Sequence, residues 1–184
     1  MHEALTKTQL EDAVYRAVLK CLSIPDESAG SRVRLSWPTD GESGDMPGWK
    51  RDEDVCFLRV GHFDDPFTRL SEASYGHGLD GQFRESRAYV RGHEMHCIFY
   101  GESAMEDAEA LRTGIVSAPV RAFLWDDFNI APFAHIAPPV RADEWFSGAW
   151  WPRYDVVIRF YEGAARSMPA AEIDVSPDIQ LIGG

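Results

Sequence analysis

Residues 85–100, ESRAYVRGHEMHCIFY, hold no proline and close on an apolar run. Read as one long strand, they send Tyr89, Arg91, His93, Met95, Cys97 and Phe99 to one side. Val90, Glu94, His96, Ile98 and Tyr100 go to the other, because strand side chains alternate. Both faces are mixed in polarity, which suits a sheet partly covered on each side. The stretch Arg153–Glu162 alternates in the same way: Tyr154, Val156, Ile158 and Phe160 stand opposite Asp155, Val157, Arg159 and Tyr161. Two such strands call for a sheet, and the rest of the chain can be placed around them.

Upstream, Leu10, Val14, Ala17, Val18, Cys21 and Leu22 recur at helical spacing and form one apolar stripe. Thr8 and Glu11 have capping-box spacing, and Pro25 ends the helix. Short strands are expected near Arg32–Leu35 and Asp54–Val60, separated by a turn-rich loop, Pro38 to Gly48. Residues 61–84 carry many glycines and little apolar periodicity. They read as a long loop, unordered in a free subunit and ordered on assembly. A second capping box, Ser103 to Glu106, opens a central helix running to about Thr113. Pro119–Phe128 continues it or follows a kink. Asn129–Ile136 is a candidate strand, a loop carries the aromatics of 145–151, and a short Gly/Ala link precedes a last strand near Ala171–Val175, extending toward Leu181. Helices and strands segregate along the chain, so the expected class is α+β. The sheet is mixed and mostly antiparallel, flanked by the N-terminal and central helices, in a single domain, 1–184.

Composition narrows the function. The chain has 30 acidic against 18 basic side chains, net −12. That opposes stable nucleic-acid binding, which needs Lys and Arg on phosphates, yet it suits a passage through which DNA slides. Cys21, Cys56 and Cys97 sit in apolar stretches as small buried hydrophobes, which points to a reducing compartment. MHEALTKTQL lacks the basic and apolar regions of a secretory signal, and no run is long enough to span a membrane.

Catalytic and metal readings are weak. In His93-Glu94-Met95-His96-Cys97 the second histidine falls at i+3, whereas a zincin helix needs i+4. On a strand His93 and His96 point to opposite faces, and His93 and Cys97 lie about 13 Å apart. Asp64-Asp65 and Asp126-Asp127 are paired carboxylates that also suit a turn before Pro66 and a helix end. Neither a nucleophile elbow nor a phosphate-binding glycine loop is present. The densest feature is Trp145-Phe146-Ser147-Gly148-Ala149-Trp150-Trp151. Core packing and subunit contact both fit Trp145, Phe146, Trp150 and Trp151, since aromatics serve cores and interface hot spots alike. If strand geometry already holds at Trp150 and Trp151, one ring packs inward and the other is offered to a neighbour.

Several segments together resemble the phage neck or tail-terminator family of small α+β proteins. They are Arg34-Leu35-Ser36-Trp37-Pro38, Asp52-Glu53-Asp54-Val55-Cys56-Phe57, Ile98-Phe99-Tyr100-Gly101, and the helix after Ser103. The last is Gly148-Ala149-Trp150-Trp151-Pro152-Arg153-Tyr154-Asp155, running into Arg159-Phe160-Tyr161-Glu162. Pro152, and the polar link from Gly163 to Ser167, depart from the pattern. The resemblance implies a structural role without catalytic residue or cofactor: a homo-oligomeric ring, commonly a hexamer, at the head-proximal end of the tail. Such a ring ends tail tube polymerisation and meets the head–tail connector protein. Its partners would be the tail tube protein and that connector, with DNA passing through unbound. Its place would be the virion neck, after assembly in the host bacterial cytoplasm. Two alternatives remain: a monomeric head-completion adaptor, and a small metal-dependent hydrolase using His62, Asp64, Asp65 or His77.

The alternation at His93 and His96 generates one test. Purified protein should carry no stoichiometric zinc, and zinc that disappears on His96→Ala would overturn the strand assignment.

Overall fold

A computed structural model describes residues 3–35, 49–50, 53–146 and 148–171. Its helices are α1 (Lys7–Leu22), α2 (Asp26–Arg32), α3 (Ala104–Gly114) and α4 (Ala118–Phe128). Its strands are β1 (Val33–Arg34), β2 (Val55–His62), β3 (Ser71–His77), β4 (Phe83–Tyr100), β5 (Ile130–Pro132), β6 (Val140–Phe146) and β7 (Ala149–Pro169). The fold is α+β, with one mixed, mostly antiparallel open sheet in the order β1-β2-β4-β7-β5; among the described strands β1 and β2 run parallel, and a lone parallel bridge joins Glu3 to Ala165.

The strands expected over 85–100 and 153–162 extend to Phe83–Tyr100 and Ala149–Pro169 and pair with each other over sixteen positions, from Arg84↔Pro169 to Phe99↔Tyr154. At ~3.3 Å per residue β4 alone spans about 60 Å. Its two halves meet different partners on the same edge. Val55–His62 pair with 93–100, and Ser71–His77 pair with 83–89. On one face Cys56, Leu58, Met95, Cys97, Phe99, Val156, Ile158 and Phe160 pack under the apolar stripes of α1, α3 and α4. On the other face, at the Tyr100 end only, Val55, Phe57, Ile98, Tyr100 and Trp151 form a second cluster closed by Trp49.

The structure corrects several expectations. The box at the start of α1 is Thr6 with Gln9, not Thr8 with Glu11: the Gln9 N–H donates to Thr6 Oγ1 at 3.3 Å, and the Thr6 N–H to Gln9 Oε1 at 2.8 Å. This earlier register puts Leu5 and Leu10 in the staple positions, and both join the core. Ser103 precedes α3 without a side-chain cap; its N–H donates to Asp54 Oδ1 at 2.8 Å instead. Helix α2 has a single buried residue, Ala29, so it left no stripe to read. The strand expected over Asn129–Ile136 shrinks to three residues, because Asn129 is spent capping α4 at φ 54°.

Residues 61–84 are not a loop. β2 runs on to His62, a 3-10 turn covers Phe67–Arg69, and β3 forms a hairpin with β4. Every residue of β3 is exposed, so alternation had no buried face to reveal it. Between β2 and β3 the chain crosses the sheet at Gly92, where a Cβ would stand 2.8 Å from Phe63 O and 2.9 Å from Thr68 Cγ2. The Gly/Ala link is likewise continuous strand. Gly163 gives room to Asn129, whose Nδ2 donates to Gly163 O at 2.6 Å and would lie 2.6 Å from a Cβ there. The expected loop Pro38 to Gly48 and the strand Ala171–Val175, from residue 172 on, lie outside the described residues.

A buried polar network ties the N-terminus to this frame. Glu162 and His93 are buried under the helices, with His93 Nε2 at 2.7 Å from Glu162 Oε2. Arg91 Nη2 lies 2.6 Å from the same oxygen and donates to Leu5 O at 2.7 Å. The Leu5 N–H donates to Glu162 Oε1 at 2.8 Å. Burial alone would raise the Glu162 pKa; the hydrogen bonds from His93, Leu5 and Arg91 outweigh it and hold the carboxyl below its usual range. A depressed folded pKa contributes stability that is present above the unfolded value of about 4.3 and lost as pH falls through the folded one. Glu162→Gln should therefore cost about 3 kcal/mol at neutral pH, since it strands Arg91. It should also remove part of the acid sensitivity. Urea unfolding at stepped pH checks both.

Candidate functional site

The aromatic stretch is the tip of a hairpin, not a loop. β6 and β7 pair from Val140↔Asp155 to Phe146↔Ala149, and Gly148 takes the positive φ of 78° that the turn needs. The missed strand β6, VRADEWF, has no apolar alternation for a sequence reading to find. Trp145 and Trp150 are direct cross-strand partners, with centroids 5.5 Å apart and planes at 71°. Both are 60% exposed. Trp151 is 9% exposed and packs into the second cluster, 4.8 Å from the Trp49 ring. Neighbouring tryptophans thus face opposite ways, as strand alternation requires. The side chain of Phe146 lies outside the described residues.

Behind the exposed pair the hairpin is anchored. Tyr100 Oη donates to Glu144 Oε2 at 2.6 Å, Arg153 Nη1 to the same oxygen at 2.8 Å, and Arg153 Nη2 to Asp155 Oδ2 at 2.9 Å. Burial, then the Glu144 carboxylate, pushes the Tyr100 phenol up, so it stays a donor at neutral pH. Burial also raises Asp155. For Glu144 burial opposes ionisation, but the Tyr100 and Arg153 donors prevail and lower its pKa. These charge-assisted bonds hold the strands that carry the rings, although Arg153 Nε and Asp155 Oδ1 are buried without a partner among the described residues. On the helix side of the same end, Met105 at the start of α3 lies in a groove with Glu102, Glu106, Arg141, Pro152 and Tyr154.

The residues of the hydrolase alternative are not brought together. Asp64 pairs with Arg69, whose hydrogen bond is the main cause of its lowered pKa. Asp65 accepts from Tyr161 Oη and from the N–H groups of Phe67 and Thr68. His62 lies beside His93, with ring centroids 4.8 Å apart and planes tilted by 44°. His77 pairs opposite Phe83, ten residues along β4 from His93, about 33 Å away. His96 faces away from His93, 3.1 Å from Glu94. Asp126 and Asp127 are exposed at the end of α4. Among the described residues no three His, Cys, Asp or Glu side chains converge on one point. The cysteines are free, Cys56 and Cys97 in the core, with Cys21 pushed up to about 12 by burial. No helix among the described residues is long and apolar enough to cross a membrane.

A protein-family model described as phage neck terminator protein matches residues 8–180, from the start of α1 through the β6–β7 hairpin and beyond. No curated protein matches the chain. The two tryptophans should separate when truncated. Trp151→Ala should destabilise the fold by about 3–5 kcal/mol, the cost of emptying a packed ring site. Trp150→Ala should leave melting within about 0.5 kcal/mol of wild type and weaken self-association by roughly 2 kcal/mol. Melting temperature and oligomer mass, measured for each, check this; equal destabilisation with unchanged assembly would make the hairpin core alone.

Proposed function

The chain belongs to the phage neck terminator protein family, and from that footing we propose that it closes into a homohexameric ring at the head-proximal end of the tail. The family makes it a structural component of the virion neck, in contact with other head and tail proteins. In the finer reading, 1–184 acts as one domain without catalytic step or cofactor. The ring ends tail tube polymerisation on one side and meets the head–tail connector protein on the other. Assembly takes place in the host bacterial cytoplasm.

One observation carries the ring: the exposed Trp145–Trp150 pair, held on an anchored hairpin. Exposed tryptophans on a rigid support are what an interface hot spot requires. The net charge of −12 opposes nonspecific association between copies, so self-assembly must rest on such specific contacts. A head-to-tail contact repeated with the right rotation closes a ring. The same acidity supports passage of DNA through the lumen without specific binding.

The test is the mass of the purified protein, alone and with tail tube protein. A hexamer in either condition, together with arrest of tube growth, is expected. A monomer in both that binds only a preassembled portal would make it a head-completion adaptor instead.

A further inference from the structure

The long strands leave the subunit with two unlike ends. At one end stand Trp145, Trp150 and the groove of α3. At the other, β3 and the distal halves of β4 and β7 form a three-stranded arm beyond the helices. The arm pairs Ser71↔Tyr89 to His77↔Phe83 on one side, and Arg84↔Pro169 to Tyr89↔Ala164 on the other.

The exposed side chains without an ion pair differ in sign between the two ends. Arg91 is taken by buried Glu162. The rest of the arm, residues 71–90 and 163–169, holds Arg84, Arg87 and Arg166 against Glu72, Asp80 and Glu85, with Glu3 bridged to Ala165 beside them: a near-balanced set in a chain whose net charge is −12. Arg87 and Arg166 lie directly across from each other in the β4–β7 ladder, both exposed. Like charges in that position repel. Glu85 answers Arg87, whereas Arg166 has no ion pair among the described residues. Beside them on the same face, Tyr75 and Phe83 stack at 6.4 Å. At the far end Glu102 and Glu106 flank exposed Met105, and neither carboxylate has an ion pair among the described residues. One end therefore offers Arg166, with Glu3 nearby, on the face that carries the Tyr75 and Phe83 rings. The other offers Glu102 and Glu106 beside exposed Met105, Trp145 and Trp150, the one cation of that groove, Arg141, being paired with Asp143.

We propose that the arm of one copy docks on the Trp145–Trp150 end of a second copy, with Arg87 and Arg166 facing Glu102 and Glu106. This rests on the ring reading and specifies its contact. The two surfaces differ and lie at opposite ends of the strands, so the contact is heterologous and leaves both ends of a pair free to continue. Charge complementarity selects the register, and the exposed rings lose water on contact.

Two charge reversals test it: R87E with R166E on the arm, and E102R with E106R on α3. All four positions are exposed, so both proteins should melt like wild type, which thermal unfolding controls. Each alone should self-associate at least ~10-fold more weakly, because like charges then meet. An equimolar mixture should regain wild-type oligomers of alternating subunits, since each variant's arm matches the other's α3. A wild type that stays monomeric, with and without tube protein, removes the ring and the contact together. A wild-type ring that neither reversal disturbs removes only the contact. Two folded variants that fail singly and are not rescued by mixing place the surfaces in different contacts and overturn the pairing. An arm reversal that keeps the ring but loses tube protein assigns the arm to that partner instead.

Discussion

The sixteen-position ladder between β4 and β7 is the constraint on which the rest of the structure depends. A pair of strands this long cannot be covered by helices of eleven to sixteen residues, which at ~1.5 Å per residue reach only about 17–24 Å. The helical layer therefore buries the middle of the sheet and leaves both ends in solvent. One end becomes the aromatic hairpin and the other the arm. Because each central strand has more length than any neighbour, it serves successive partners: β2 then β3 along β4, and β6 then β5 along β7.

The points where the ladder changes partner carry the polar groups. At the centre, where β5 replaces β6 on one edge, Gly163 admits Asn129, and Glu162 gathers Arg91, His93 and the Leu5 backbone. A carboxylate this buried would be costly alone. Here each oxygen has donors, and the same bonds pin the N-terminal segment before α1. At the Tyr100 end, Glu144 plays the corresponding part for β6, linking Tyr100 to Arg153. Both networks convert a change of strand pairing into a fixed geometry, and the second supports the hairpin that carries the exposed Trp145 and Trp150.

Acidity and exposed aromatics pull in different directions. The net charge of −12 keeps copies apart at distances beyond a few ångströms, while Trp145, Trp150, Tyr75 and Leu79 present apolar area that gains from contact. The balance between the two sets how readily copies of the chain associate.

The legible features were those with a buried face. Leu10 to Leu22, Val55 to Val60, Met95 to Phe99 and Val156 to Phe160 announced α1, β2, β4 and β7, since packing under a helical layer imposes a period of 3.6 or 2 on the sequence. The opposite fates of Trp150 and Trp151 followed from the same rule. The arm and β6 left no such trace: SEASYGH and VRADEWF face solvent on most positions, and their pairing is held by backbone bonds that any side chain permits. Glycine misled where it marked close approach, at Gly92 and Gly163, and not a break in the strand. The sequence by itself determined the class, β4 and the middle of β7, and the aromatic stretch. Only the tertiary structure decided which residues share an end of the molecule, because that depends on cross-strand register, and register is set by the whole ladder closing at once.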